Sequence, residues 1–192
     1  LELTREISTV LGEKCLRIHD QIENLSVDPS PLMFVYHSNP GFPFLNLGTR
    51  LVINSQQTTE WLEDRTVGPE EYQMVQSPQE EAHDDVYIHR PIADEAGNVQ
   101  VASINDELKL GIYWEFPVQE MPVITQWQHF HKGTYVTGIE PGNVSMLGRA
   151  WNRKHGYLNY IQPGEIRDFH LEIGILEGKE EINAFEHRIK QG

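Results

Sequence analysis

The sequence predicts an all-β protein whose antiparallel strands form a sandwich or barrel. First, many short segments alternate apolar and polar residues, which is the period of a half-buried strand. Second, these segments recur roughly every ten residues and are separated by turn-forming residues. Third, a single segment, 69–76, has the character of a short helix. We treat residues 1–192 as one β-sandwich domain, because no repeat or linker indicates a second.

The strands are predicted in chain order as follows. Residues 1–7 and 15–22 each alternate apolar and polar side chains. Residues 32–37 form a continuous apolar run, which is typical of a strand covered on both faces. The other predicted strands are 49–54, 85–89, 98–104, 108–116, 123–130, 134–140, 166–176 and 181–189. Turns rich in Gly, Pro, Asn and Asp separate several of them, at 94–98, 131–133, 140–143, 162–165 and 177–180.

Composition disfavours several classes of partner and location. The chain has 23% charged and 39% hydrophobic residues, as an ordinary globular protein does. Its net charge of -14 opposes binding to nucleic acid or to an anionic membrane. A single cysteine, Cys15, cannot form an internal disulfide, which favours a reducing compartment and therefore the cytoplasm. No segment approaches the roughly 20 apolar residues of a membrane-spanning helix, and there is no signal-peptide pattern.

The first residues suggest a chain that continues upstream. The sequence begins without Met and enters a strand pattern at once. Natural termini are usually polar and frayed before the first element. We therefore expect this chain to be the C-terminal part of a longer domain.

Polar residues stand at strand ends in four segments, where a purely structural strand would not need them. These are His37 and Asn39 in YHSNPGFPFL, His83, Asp84, Asp85 and His89 in EEAHDDVYIHR, Trp127, His129 and His131 in QWQHFH, and Glu140, Asn143 and Arg149 in YVTGIEPGNVSMLGR. Most of them could equally be solvated surface residues. Glu140 is the strongest candidate, because a carboxylate among apolar and small residues is costly to bury unless it is paired or used.

A metal site is a weaker hypothesis. His129, His131 and the later Glu140 resemble the cupin pattern, in which imidazoles and a carboxylate converge on one ion. Glu140 follows His131 at a longer spacing than that motif has, and the segment PGEIRDFH lacks the motif's second half.

Five segments together resemble the aldose 1-epimerase-like proteins of the galactose mutarotase fold. They are YHSNPGFPFL, VYIHRPIADEAGNV, QWQHFHKGTYVTGIEPGN, GRAWNRKHGYLNYIQPGE and LEIGILEG. The match covers about residues 1–178 and is strongest to a bacterial branch with YHxNxGxP and GxEPxN…GR…PGE motifs. The resemblance implies a large antiparallel β-sandwich of the supersandwich type that holds a sugar. It implies no metal or organic cofactor.

The resemblance also implies a mechanism. A Glu at the position of Glu140 takes the proton of the anomeric hydroxyl, and a His at the position of His37 donates one to the ring oxygen. The ring opens, the C1–C2 bond rotates, and closure gives the other anomer. Both proton sites belong to one hemiacetal, so the acid and the base must converge in one pocket. A histidine suits the acid role because imidazole titrates near neutral pH.

The resemblance leaves alternatives for the other residues that would contact the sugar. The branch suggests His89, with Asp85 as the second choice. Trp127 can stack on a pyranose or belong to the core, and Asn39 can bind a hydroxyl or, as we favour, fix the turn. Asn143 and Arg149 follow the EPGN turn. Arg149 can pair with Glu140, contact an acidic sugar or face solvent.

Two other functions stay open. One is a non-catalytic carbohydrate-binding domain on the same fold. The other is a polysaccharide lyase, which would need a tyrosine or second base in the groove; the candidates are Tyr36, Tyr87 and Tyr135. The partners we expect are a small-molecule sugar and the upstream part of the same protein. A homodimer is compatible with the sequence, which itself indicates no oligomeric state.

Overall fold

A computed structural model describes residues 1–61 and 65–191. In this part of the chain the strands form two large antiparallel sheets and one small one. The six-stranded sheet has the order β1 (Glu2–Ser8), β2 (Cys15–Glu23), β13 (Ile166–Glu177), β9 (Leu110–Pro117), β8 (Asn98–Asn105), β4 (Arg50–Ile53). The five-stranded sheet has the order β11 (Thr134–Gly142), β10 (Val123–His131), β7 (Asp84–Pro91), β5 (Ser55–Glu60), β6 (Arg65–Thr66). The small sheet pairs β12 (Asn159–Ile161) with β3 (Ser30–Leu32).

The predicted all-β class is confirmed. Most of the predicted strands are present, with ends shifted by one or two residues. The short predicted helix is the single turn α1 (Pro69–Tyr72), and a second short helix, α2 (Arg149–Lys154), follows β11. No helix in the described residues is long and apolar enough to cross a membrane.

The main core lies between the two large sheets. Trp114 and Phe116 of β9 pack in one cluster with Ile124 of β10 and Ile139 of β11. Because side chains alternate along a strand, the neighbours of Ile124 and Ile139 point to the opposite face of the five-stranded sheet. We call the side of this sheet that carries Ile124 and Ile139 the core face and its opposite the site face.

The strand predicted over 181–189 is wrong, because this segment is part of the helix α3 (Gly178–Gln191). Its buried residues Ile182, Phe185 and Ile189 recur at the spacing of a helix rather than of a strand. They pack against Ala102 and Ile104 of β8 and so cover the outer side of the six-stranded sheet. The helix therefore adds a layer to the sandwich that strand alternation does not predict.

The strand predicted over 32–37 also differs from the structure. Regular pairing ends at Leu32, and the chain then follows the edge of β11 through isolated bridges from Val35 to Gly142 and from Ser38 to Ile139. Pro40 and the cis Phe42–Pro43 peptide belong to the turn that follows. This irregular segment, residues 34–41, is the element that carries His37.

Candidate active site

The site face brings His37 and Glu140 into direct contact. Nε2 of His37 lies 2.9 Å from Oε1 of Glu140. The carboxylate is 3% exposed and the imidazole 43% exposed. The pair thus joins a buried carboxylate to a ring that solvent or a ligand can reach.

Backbone pairing explains why two residues more than a hundred positions apart meet. Segment 34–41 exchanges hydrogen bonds with β11: Ser38 and Ile139 bond to each other in both directions, at 3.2 and 2.9 Å. The amide of Tyr36 donates to the carbonyl oxygen of Pro141 at 2.9 Å. These bonds lie on both sides of His37 in segment 34–41 and on both sides of Glu140 in β11. The register between the two segments therefore places the two side chains next to each other.

Buried side chains hold segment 34–41 in place. The hydroxyl of Tyr36 donates to Oδ2 of Asp20 at 2.7 Å, and Arg5 binds both oxygens of the same carboxylate at 2.7 Å. Burial would raise the pKa of Asp20, but the hydrogen bonds from Arg5 and Tyr36 hold it below its usual value. Nε1 of Trp114 donates to Oγ of Ser38 at 3.1 Å. The residues on either side of His37 are therefore tied to the core.

Asn39 orients the imidazole. Its Oδ1 lies 2.8 Å from Nδ1 of His37, on the side of the ring opposite Glu140. Both ring nitrogens thus have an oxygen acceptor as partner, an arrangement that suits a protonated imidazole donating two hydrogen bonds. The expected role of Asn39 in fixing the turn stays a prediction, because the contact of its side chain is with the His37 ring.

The environment of Glu140 makes its carboxylate more basic than an exposed one. Burial raises the pKa of Glu140, and the charge of the nearby His37 opposes that rise. A carboxylate with a raised pKa accepts a proton more readily. The pair therefore combines a proton acceptor of raised basicity with a proton donor in hydrogen-bond contact.

Trp127 lies beside the pair on the site face. It is paired across the strands with Gly138, and its ring stands edge-on to the ring of His37 at a centroid distance of 6.2 Å. Asp84 accepts hydrogen bonds from Nε1 of Trp127 at 3.0 Å and from Nδ1 of His129 at 2.6 Å. These bonds, that from Trp127 first, lower the pKa of Asp84. Asp84 therefore fixes the indole next to the dyad.

His89 and Asp85, expected to contact the sugar, lie on the other face of the sheet. His89 pairs with Ile124 and Asp85 with Gln128, and both partners belong to the core face. His89 is fully buried, with its ring nitrogens 2.9 Å from Oγ1 of Thr58 and 3.0 Å from Oε1 of Gln126. Asp84 and Asp85 are neighbours, so strand alternation turns only Asp84 to the site face. The structure does not bring His89 or Asp85 to Glu140.

Burial of His89 predicts a pH dependence of stability. It lowers the pKa of His89 to about 4, from an ordinary 6.5. The unfolded chain therefore binds a proton in this window that the folded protein excludes, and the free energy of unfolding falls as the pH drops from 6.5 to 4. The share of His89 in that fall is about 3 kcal/mol.

Urea unfolding of the full-length protein at several pH values tests this share. The His89→Gln variant has no titrating group at this position, so its unfolding free energy should depend less steeply on pH between 6.5 and 4. The slope is compared rather than the absolute stability, because the substitution also changes packing. Equal slopes for both proteins would contradict a neutral buried imidazole.

Asn143 is buried and bonded to the backbone, whereas Arg149 is exposed. Both ends of the buried Asn143 amide are used by the backbone: Oδ1 accepts from the amide of Phe34 at 2.8 Å, and Nδ2 donates to the carbonyl of Leu32 at 3.0 Å. Asn143 therefore joins the end of β11 to the start of segment 34–41. Arg149 is exposed at the first residue of α2, and its guanidinium has no partner in the described residues.

The other sequence hypotheses find less support in the geometry. The hydroxyls of Tyr36, Tyr87 and Tyr135 donate to Asp20, to the carbonyl of Glu71 and to the carbonyl of Gln76 respectively. None of the three therefore contacts the dyad, as a lyase would require. Among residues 1–61 and 65–191, no group of three His, Cys, Asp or Glu side chains is arranged to hold a metal ion.

Gly138 is a site residue that the sequence analysis missed. A Cβ on Gly138 would collide with Oε1 of Glu140 and would lie 3.3 Å from Cε1 of His37. A glycine inside a strand signals a close approach, but the sequence does not show what approaches it. Here the missing side chain leaves room for the dyad.

Comparison with known proteins identifies the family of the chain. A family model described as a domain of unknown function, DUF4432, matches residues 1–175. The chain belongs to the DUF4432 family. No curated protein matches this DUF4432 chain significantly.

Solved structures show the fold of this DUF4432 protein. A provisionally assigned aldose 1-epimerase from Klebsiella pneumoniae subsp. pneumoniae MGH 78578 has 28% identity and a TM-score of 0.91, over 99% of this chain and 50% of its own. A provisionally assigned aldose 1-epimerase from Escherichia coli K12 has 14% identity and a TM-score of 0.64, over 90% and 59%. A galactose mutarotase-like protein from Clostridium acetobutylicum has 15% identity and a TM-score of 0.57, over 84% and 52%.

These similarities confirm the expected fold. The chain is an all-β sandwich of the galactose mutarotase-like type and resembles proteins named as aldose 1-epimerases. It spans about half the length of the first of these structures.

Proposed function

We propose that the protein interconverts the anomers of a sugar by acid and base catalysis. The observation that carries this proposal is the 2.9 Å contact between His37 and the buried carboxylate of Glu140 on the site face. A hemiacetal has its hydroxyl oxygen and its ring oxygen on one carbon. An acid and a base that serve both oxygens must therefore lie side by side, as these two groups do.

In the proposed reaction the hemiacetal replaces the direct contact between Nε2 of His37 and Glu140. Glu140 removes the proton of the anomeric hydroxyl while Nε2 of His37 protonates the ring oxygen. The C1–O5 bond breaks as the C1–O1 double bond forms. After rotation about C1–C2, the aldehyde closes on its other side, with Glu140 returning its proton and His37 taking one back. Asn39 keeps the imidazole oriented during both transfers.

Two features of the site support these roles. Desolvation raises the pKa of Glu140, which increases its strength as a base. Trp127, held by Asp84, offers an aromatic surface beside the dyad on which the apolar side of a pyranose could stack. Trp127 would serve a non-catalytic sugar-binding domain equally, so binding alone is the second candidate function.

Substitution of Gly138 tests whether the dyad carries the activity. In Gly138→Ala the new methyl group displaces the carboxylate end of Glu140, a flexible side chain, so the fold should persist while the acid–base geometry is lost. We expect anomer exchange to fall at least about tenfold, since misplacement of catalytic groups by even an ångström is costly. The measurement is saturation transfer between the anomer signals of free sugars by NMR, with the full-length protein.

Gly41→Ala is the matched control. An added Cβ at Gly41 meets nothing closer than the carbonyl oxygen of Tyr135 at 3.8 Å, an ordinary contact. This variant should exchange anomers as the wild type does. If Gly138→Ala exchanged anomers as fast as Gly41→Ala, His37 and Glu140 would not be the catalytic groups. If the wild type accelerated anomer exchange of no sugar, the proposed function would be refuted.

A further inference from the structure

A cavity of about 470 Å³ opens on the site face, and neither His37 nor Glu140 lines it. Ile88 and Arg90 of β7 form part of its floor, and Trp151, His155 and Tyr157 of α2 and the following loop form a wall. Ile88 is paired with Thr125, which is paired in turn with Glu140. The floor therefore lies two strand spacings, roughly 10 Å, from the strand of the catalytic carboxylate. A volume of this size is typical of small-molecule sites.

The charge of the cavity differs from that of the protein. The chain has 29 acidic residues and a net charge of -14. The described lining of the cavity nevertheless includes no Asp or Glu side chain. An anion that the protein as a whole would repel therefore meets no carboxylate inside this cavity.

Arg90 provides a positive group in the cavity. Its guanidinium lies 5.7 Å from the ring centroid of Tyr157, and it has no carboxylate partner in the described residues. Arginine is well suited to binding a planar anion through two hydrogen bonds. The ring contact restricts the side chain without using its hydrogen-bond donors.

His155 adds a second polar group at the wall. Its ring stacks on Trp151 at a centroid distance of 4.0 Å, and its Nδ1 donates to the carbonyl oxygen of Trp151 at 2.8 Å. Its Nε2 has no partner in the described residues. Arg90 and His155 thus line the same cavity.

We propose that the substrate is an acidic sugar whose anionic group, remote from C1, binds in this cavity against Arg90. This inference rests on the proposed function, because it assumes that C1 lies at His37 and Glu140. In this arrangement the pyranose ring spans the space between the dyad and the cavity floor, and Arg90 meets its charged exocyclic group. The anionic group fixes the ring so that its hemiacetal faces the dyad.

The test compares two sugars that differ in one group, D-galacturonate and D-galactose, in the full-length protein. Anomer exchange by the wild type should be faster for the acid, as kcat/KM, by at least about tenfold. In Arg90→Gln that preference should fall by about 10- to 100-fold, the loss expected for a charge-assisted hydrogen bond. Arg90→Lys, which keeps the charge, should retain part of it.

Arg153→Gln is the matched control. Arg153 is an exposed residue of α2, the helix that forms a wall of the cavity, but it does not line the cavity itself. Its replacement by Gln removes the same charge as Arg90→Gln does. It should leave the preference for the acid unchanged. A loss as large as that of Arg90→Gln would mean that only the general field near α2 matters, and would overturn the assignment to Arg90.

The remaining outcomes separate this inference from the proposed function. Exchange of both sugars without preference for the acid overturns the inference and leaves the anomer-exchange proposal intact. If neither sugar exchanges, neither is a substrate of the proposed reaction, and this inference about the substrate is overturned. Saturation-transfer binding of D-galacturonate then tests the anion site in the cavity by itself. Binding that Arg90→Gln abolishes would support an anion site; binding that the substitution leaves unaltered, or equal binding of D-galactose, would overturn it.

Discussion

Replacement of Glu140 by Gln should reduce anomer exchange by at least about 10³-fold, within the range that proton transfer by a positioned side chain contributes. The amide has almost the shape of the carboxylate but cannot take the proton of the anomeric hydroxyl. Nε2 of His37 can still donate to its oxygen, so the geometry of the site should persist. We therefore expect sugar binding, measured by NMR saturation transfer, to change much less than turnover.

Glu107→Gln serves as the control for this variant, because Glu107 is an exposed residue of the turn between β8 and β9. It removes the same charge far from the dyad and should retain activity. If Glu140→Gln lost binding and turnover to the same extent, Glu140 would have a binding or folding role. Urea unfolding of the variant separates those two explanations.

Replacement of His37 by Ala should lower turnover by about 100-fold or more, because the ring oxygen loses its proton donor. Affinity should change less, since the imidazole acts mainly in the proton transfer. The pH profile gives a second readout. The charge of His37 lowers the pKa of Glu140, so without the imidazole the carboxyl group takes up its proton at higher pH, and the residual activity should disappear at a higher pH as the solution is acidified.

His187→Ala is the matched control for the imidazole. His187 is exposed on α3, and its only polar side-chain contact in the described residues is with Gln191, one turn away. Wild-type turnover in His37→Ala would exclude a general-acid role for His37. An unshifted pH profile would show that the two groups do not titrate as neighbours.

Strand alternation carried most of the fold prediction, because an antiparallel sheet with one buried face repeats its chemistry every second residue. The same rule fails for α3. Ile182, Phe185 and Ile189 recur after three and four residues, which is the spacing of one helix face, so the segment itself carries the helix signal that the strand prediction overlooked. The helix packs these residues against Ala102 and Ile104 of β8.

The pairing of His37 with Glu140 was predicted in part from chemistry and in part from resemblance. Glu140 stands out because an apolar strand end would bury its charge, and its side chain is indeed 3% exposed. The partner is set by the register between segment 34–41 and β11, which the sequence does not display. The sugar contacts were harder, because a shift of one residue reverses the face of a strand. Asp84 rather than Asp85 reaches the site face for this reason.

The pairing of segment 34–41 with β11 also has a consequence for how the protein folds. Its hydrogen bonds close a loop of more than a hundred residues, and contacts of such high sequence separation carry a large entropic cost early in folding. Sheets formed from adjacent hairpins can appear before this loop closes. A nascent or partly opened chain could therefore contain many of its strands and yet lack the contact between His37 and Glu140. Under the proposed function, activity would then require this long-range pairing to be complete.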